Sequence, residues 1–282
     1  MRRVGWAAVC LLCLLLLGPI AVVVIASFSG DAYLSFPPQS LSLRWYVRFF
    51  GDGRWRSALY NSLEVASMCA VLATGTGFLA AYAFVRGRFA ARSVLMSLTL
   101  IPLIVPSIVT AIAIYFLSVR LGLIGNRVWL AVTHAVIALP VVLIMTQSAL
   151  HAVDPALERA AMVHGCSRWG VFRRVVIPLA APGIVSAALF AFLASFDELV
   201  IALFVSGIQG QTLPVRIWNS LTLELEPTIA AVSTLLIAVT VVVLLLDVWL
   251  RSSVARRRQA KEGQLVAMTG HDMVGQPSGG AE

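Results

Sequence analysis

The sequence predicts an all-α membrane protein with six transmembrane helices. Of the 282 residues, 60% are hydrophobic and only 12% are charged, about half the charged fraction of an ordinary soluble domain. So few charges leave too little polar surface to cover a water-facing globule. The apolar residues also fall into six runs of about 20 residues or more, the length that crosses a hydrocarbon core of roughly 30 Å.

The six runs predict spans that are separated by arginines or short polar segments. We expect them at about 5–28, 60–84, 93–118, 128–148, 179–205 and 229–250. Arg2 and Arg3 precede the first run, as in a signal peptide, but the run exceeds the 7–15 apolar residues of a signal. We therefore expect a retained helix.

The domain organisation follows from the spans. Residues 1–58 form the first helix with an outer loop, and residues 59–250 form a core that includes a cytoplasmic loop at 151–178. Residues 251–282 are a polar tail that we expect to be disordered. With the N-terminus inside, the cytoplasmic segments hold 14 of the 21 Lys and Arg residues. This bias predicts that both termini are cytoplasmic.

Several function classes are disfavoured by the sequence. The basic residues are scattered at the ends of apolar runs, whereas nucleic-acid binding needs them clustered on one face. The cysteines lack metal-ligand or redox context, and we interpret Cys10, Cys13, Cys69 and Cys166 as small apolar residues. We expect no metal site and no cofactor in this chain, and without a Walker motif it should not hydrolyse ATP.

Prolines interrupt the third predicted span. Pro102 and Pro106 each remove a backbone donor and bend or break a helix. Such irregular helices are tolerated in a membrane where neighbouring groups satisfy the freed carbonyls. Two interpretations stay open, a helix that lines a pathway and a simple packing kink.

The 151–178 loop has the local signals of a helix, a turn and a second helix. Asp154 is a good N-cap and Pro155 suits the first helical position. Gly165 can adopt the left-handed conformation that ends a helix. Ser167 can cap a second helix that Pro178 limits near Val176. Exposed small residues favour a docking element, and the alternative is an amphipathic helix on the membrane surface.

This loop resembles the EAA motif of ABC importer permeases, which reads EAA, three residues, Gly, nine residues and I-x-L-P. Here Arg159, Ala160 and Ala161 are followed by Gly165 and then by Val175, Ile177 and Pro178. The spacing is met, but the motif's Glu position is Arg159, and Glu158 stands just before it. Residues 195–219, SFDELVIALFVSGIQGQTLPVRIWN, are similar to the spermidine/putrescine branch of these permeases.

The resemblance implies a type I ABC importer permease fold in a bacterial inner membrane, and transport of polyamines. It also implies that the 151–178 loop docks on a cytoplasmic ATPase dimer, which binds ATP and Mg²⁺. The other implied partners are a second, non-identical permease and a periplasmic or lipid-anchored substrate-binding protein. Alternatives are a permease for another small organic or metal cation, a secondary transporter that works without an ATPase, and a structural membrane scaffold.

Acidic residues within the predicted spans are candidate substrate contacts, because a buried charge in lipid is costly and usually faces a cavity or a partner. Asp197 and Glu198 lie in the middle of the fifth predicted span, about 100° apart around a helix, and Glu64 lies near the outer end of the second. They could attract an organic cation, or they could be buried contacts to the partner permease. We interpret His134 as a hydrogen-bonded packing residue and Asp247 as a partner of Arg251.

Overall fold

A computed structural model of the chain describes residues 2–31, 36–223 and 227–274. Its architecture is a bundle of helices. The helices are α1 Arg2–Ser27, α2 Arg44–Gly51, α3 Gly53–Arg86, α4 Arg92–Leu100, α5 Ser107–Leu121, α6 Arg127–His151, α7 Pro155–Val163, α8 Arg168–Val171, α9 Ile177–Phe196, α10 Val200–Val205, α11 Leu213–Leu223 and α12 Thr228–Val274.

The expected number of spans is confirmed. Five helical segments in the described ranges are long and apolar enough to cross a membrane, and a bent pair makes a sixth. The second span is longer than predicted because α3 begins at Gly53, so the predicted domain boundary after residue 58 falls inside it. Asp52 accepts a hydrogen bond from the Arg54 backbone N–H at 2.7 Å and thereby caps α3. The short helices α2 and α11 were not predicted.

The bent pair is the proline-containing third span. Arg92–Leu103 and Ser107–Leu121 meet at 98°, and a short 3₁₀ turn, Ile101–Leu103, ends the first arm. Pro106 then precedes α5 with φ −55° and ψ 133°, an extended conformation that is compatible with the φ fixed by its ring. The predicted irregularity is therefore present, and whether this helix lines a pathway stays a prediction.

The centre of the bundle is formed by α3, α6 and α9, which pack most extensively against one another. Small residues at their crossings let the backbones approach closely, as is usual between membrane helices. Gly77 of α3 lies against Val142 of α6, and Gly183 of α9 lies against Ala149 of α6. The central cluster between these crossings consists of Cys69, Ala73, Ala138, Val142, Ala187 and Ala191.

The first and last long helices lie at the edge of this centre. α1 packs on α12, and none of the residues in the most apolar stretch of α1 is buried. Its exposed leucines match a lipid environment, since lipid tails are as apolar as leucine.

The expectation of a disordered tail is wrong for residues 251–274, which continue α12 as helix to Val274. Most residues from Ala255 to Met268 are strong helix formers, and no proline occurs between Arg251 and Pro277. Helix propensity summed over such a window favours continuation of α12. The polar composition of the same residues indicates disorder, so the two signals disagree. Residues 275–282 lie outside the described part of the chain.

Candidate functional site

The 151–178 loop folds locally as its sequence predicts. The Asp154 carboxylate accepts a hydrogen bond from the Ala156 N–H at 2.8 Å and caps α7, with Pro155 at the first helical position. Gly165 has φ +83° and reverses the chain after α7. Ser167 accepts a hydrogen bond from the Gly170 N–H at 3.1 Å and caps α8.

The prediction that Pro178 ends the second helix is wrong. From Arg168 the chain remains helical to Phe196, because a π turn at Phe172–Val176 joins α8 to α9. In this wider turn the Ile177 N–H donates to the Phe172 carbonyl, and Pro178 occupies the start of α9 where no donor is required. The second helix of the loop is thus continuous with the central span that follows it.

One side of α7 is fixed to the bundle by an ion pair. Arg86, the last residue of α3, donates to Glu158 at 2.8 Å through Nε, and its Nη2 lies 2.7 Å from the same carboxylate oxygen. The same Nη2 donates to the Val153 carbonyl at 2.8 Å and to the Leu150 carbonyl at 3.3 Å. Arg86 therefore satisfies the open carbonyl end of α6 and holds α7 beside it.

The opposite side of α7 is exposed. Arg159, Ala160 and Val163 face outward, whereas Ala161 packs on the apolar cluster beneath the loop. Val163 is 85% exposed. Leu157 and Met162 are exposed as well, so the surface of α7 combines one cation with apolar side chains of different sizes.

The acidic pair of the fifth span does not lie within a helix, contrary to prediction. α9 ends at Phe196, Asp197 caps its C-terminus, and α10 begins at Val200. Glu198 accepts hydrogen bonds from the Ile201 and Ala202 N–H groups at 2.9 and 3.0 Å. The carboxylate thus satisfies the open donors of a new helix, which explains the break.

Glu198 also belongs to a buried polar cluster. His134 Nε2 of α6 lies 3.3 Å from the Glu198 carboxylate, and His134 Nδ1 is hydrogen-bonded to Ser195 Oγ at 2.8 Å. His134 is only 2% exposed, so its interpretation as a hydrogen-bonded packing residue is confirmed. Every contact that the structure shows for the Glu198 carboxylate is made within the protein.

Asp197 differs from Glu198 in its exposure and in its side-chain contacts. Its side chain is exposed, and within the described ranges it makes no hydrogen bond or ion pair. Of the two adjacent acids, Asp197 is thus the one with a carboxylate free for an external cation. The sequence could not distinguish them, because the helix break that separates their environments depends on tertiary contacts.

Glu64 lies beside a polar cleft whose wall includes its partner Arg127. It forms an ion pair with Arg127 at 2.6 Å, so its charge is balanced. The cleft has a volume of about 600 Å³. Its wall includes Asn61, whose side chain donates to the Gln209 and Gln211 carbonyls at 3.1 and 3.0 Å. This anchoring of the 206–212 segment was missed, since partners about 150 residues apart leave no local sequence signal.

At the other end, Asp247 pairs with Arg251 at 2.9 Å as predicted. Ser186 of α9 joins both residues, since it contacts the Asp247 carboxylate and accepts a hydrogen bond from Arg251 Nε at 3.0 Å. This contact fastens α12 to the central helix. Asp247 is 7% exposed and its hydrogen-bonding capacity is used, which favours a structural role.

Comparison with known proteins identifies the family. Residues 73–259, about two thirds of the chain, match the model of the inner membrane component of binding-protein-dependent transport systems. The chain belongs to this family. It is therefore a multi-pass inner-membrane permease of a binding-protein-dependent ABC importer, with the corresponding all-α fold.

Two relatives of this permease are similar over most of their length. The spermidine/putrescine transport system permease protein PotC of Haemophilus influenzae is 31% identical over 81% of the chain and 89% of that protein. The putrescine transport system permease protein PotI of Escherichia coli is 33% identical over 79% of the chain and 81% of that protein.

A solved structure has the same fold as this permease. A bacterial ABC transporter that imports the acidic polysaccharide alginate has a chain with a TM-score of 0.71 and 17% identity, covering 87% of this permease and 94% of that chain. At this identity the likeness concerns the fold alone.

Proposed function

We propose that this permease carries polyamines into the cytoplasm as one subunit of an ATP-driven importer. The observation that carries the proposal is the exposed carboxylate of Asp197 at the break between α9 and α10. Polyamines are multiply protonated amines, and a carboxylate free of other partners can attract them. The similarity to two permeases named for putrescine and spermidine transport supports the same substrate class.

In this proposal, partner ATPase subunits supply the energy for transport. Two ATPase subunits bind ATP and Mg²⁺ in the cytoplasm and contact the 151–178 loop at Ala160 and Gly165, whereas Ala161, also predicted to take part, packs inward. A second, non-identical permease completes the pathway, and a binding protein outside delivers the substrate. Both termini are cytoplasmic, as the distribution of basic residues favours.

The continuous helix that begins within the loop supports these roles of the loop and of Asp197. Because Arg168–Phe196 is continuous through its π turn, a displacement of the loop is passed along about 29 residues to the position of Asp197. Rocking of this helix against α3 and α6 then changes the access of Asp197 to either side of the membrane.

Transport in proteoliposomes tests the proposal. The complex is purified with the ATPase and binding protein, and uptake of labelled putrescine and spermidine is measured with and without ATP. Asp197→Asn is expected to reduce uptake at least about tenfold, since a charge-assisted contact is lost, while basal ATP hydrolysis persists. Asp197→Glu, which keeps the charge, is the matched control and should retain most uptake.

Three outcomes oppose the proposal at different points. Wild-type uptake by Asp197→Asn would remove Asp197 from the pathway. Failure of unlabelled polyamines to compete, with competition by another organic cation or a metal cation, would change the substrate. Uptake by the purified permease alone without ATP would indicate a secondary transporter.

A further inference from the structure

The charges of the 151–178 loop are divided between its two faces. Glu158 is the only acidic residue between Pro155 and Val176, and its carboxylate points into the protein, where Arg86 binds it. Its side chain is only 12% exposed. The single negative charge of this stretch is therefore used internally and is not available to a partner.

The exposed charges of the same stretch are all positive. Arg159 occupies the outward face of α7, beside Ala160 and one turn before Val163. Beyond the Gly165 turn lies a cleft of about 730 Å³ with two further guanidinium groups in its wall. The exposed arginines of the stretch are Arg159, Arg168, Arg173 and Arg174.

We propose that the ATPase surface that receives this loop is acidic, with a carboxylate placed to pair with Arg159. The inference rests on the proposed function, which makes the loop the ATPase contact, and it specifies the chemistry of that contact. A cation removed from water at an interface needs an opposite charge, because an unpaired buried charge costs several kcal/mol. The nearby acids of the permease are already engaged, since Glu158 pairs with Arg86 and Asp154 caps α7, so we expect the carboxylate to come from the partner.

The outward face of α7 suits a protein better than a lipid surface. Helices that lie on membranes bury bulky side chains such as Trp, Phe and Leu on one face. None of the neighbours of Arg159 on its own face, at helical spacings of three and four residues, is Trp, Phe or Leu; they are Pro155, Ala156, Met162 and Val163, with Ala160 adjacent. Small residues allow a partner backbone to approach, which would bring its carboxylate within reach of Arg159.

Binding of the ATPase to permease variants tests the inference. The ATPase that co-purifies with the wild-type complex is purified and its Kd for the permease is measured in detergent, at about 0.1 M and about 1 M salt. The Debye length falls between these conditions from about 10 Å to about 3 Å. We expect wild-type binding to weaken at high salt, and Arg159→Glu to raise the Kd at least about tenfold at low salt.

Two variants serve as controls. Arg159→Lys keeps the positive charge and should retain most of the affinity. Arg88→Glu makes the same charge reversal at an exposed position in the α3–α4 connection, outside the loop, and should bind as the wild type does. A charge reversal of the ATPase carboxylate that cross-links to position 159 should restore binding to Arg159→Glu.

A further variant separates this inference from the proposed function. Ala160→Trp places a bulky group on the same outward face and should block docking whatever the charges are. If Ala160→Trp releases the ATPase but Arg159→Glu binds normally, the acidic partner surface is refuted and the docking role stands. If Ala160→Trp also binds normally, docking by this loop is refuted. If Arg159→Glu loses only bound anionic lipid, the arginine faces the membrane and the inference is wrong.

Discussion

Two adjacent carboxylates have different environments in this permease. Glu198 caps α10 and contacts buried His134, whereas Asp197 is exposed at the same break. A carboxylate that satisfies backbone donors contributes to folding, and one that has no internal partner can contribute to binding. The two positions should therefore separate stability from transport when they are changed one at a time.

Glu198→Ala is expected to lower the stability of the permease by about 1–2 kcal/mol, the usual cost of removing a helix cap. The loss of the contact to His134 adds to this effect because a buried imidazole is left without its partner. Thermal unfolding in detergent measures the change, with Asp197→Asn as the control, for which we expect an unchanged midpoint. Equal destabilisation by both changes would contradict the assignment of the cap to Glu198.

Local chemistry explains which residues could be predicted from the sequence. Asp154, Pro155, Gly165 and Ser167 act on partners within a few positions, so their roles follow from spacing alone. The pairing of Glu158 with Arg86 spans 72 residues and has no local signal. The sequence therefore predicted the shape of the 151–178 loop but not which of its charges faces outward.

At the scale of helices, the crossing of α6 and α9 depends on a missing side chain. Gly183 lies so close to α6 that a Cβ would overlap the Cβ of Ala149. Gly75 is also a glycine within a long helix, but a Cβ there meets nothing within 4 Å. The two positions form a matched pair that distinguishes packing from helix propensity.

Gly183→Ala is expected to destabilise the permease by about 1–3 kcal/mol, the range for overpacking. Gly75→Ala should be neutral or stabilising by up to about 1 kcal/mol, since alanine favours helix over glycine. Thermal unfolding of both variants checks the prediction. If Gly183→Ala were as stable as Gly75→Ala, the close approach of α6 and α9 would be wrong.

The spans were predictable because each needs a long apolar run, and this requirement leaves a strong pattern. The ends of the spans and the breaks within them were less predictable. The fifth span was predicted as one helix over 179–205, but Glu198 ends it by capping a second helix. The polar composition of residues 251–274 indicates a disordered tail, whereas their helix propensity favours the helix that is present.

At the scale of the molecule, polar contacts connect the central helices to the segments around them. Arg86 joins α3 to α7, Ser186 joins α9 to α12 through Asp247, and Asn61 joins α3 to the 206–212 segment. Because each contact links separate segments, we expect the proposed movement of the 151–178 loop to reach several spans at once. Such a connected bundle suits a transporter that changes between two rigid arrangements.

The orientation of the whole permease can be tested with single cysteines in a chain from which the four native cysteines have been removed. Ile208, 90% exposed between α10 and α11, should face outside, and Ala90, exposed between α3 and α4, should face the cytoplasm. An impermeant maleimide should therefore label Ile208→Cys in cells whose outer membrane alone is opened. Ala90→Cys should react only after the inner membrane is also broken, because the basic residues near its loop are retained inside. The reverse pattern would invert the topology and place the 151–178 loop outside, where no cytoplasmic ATPase could reach it.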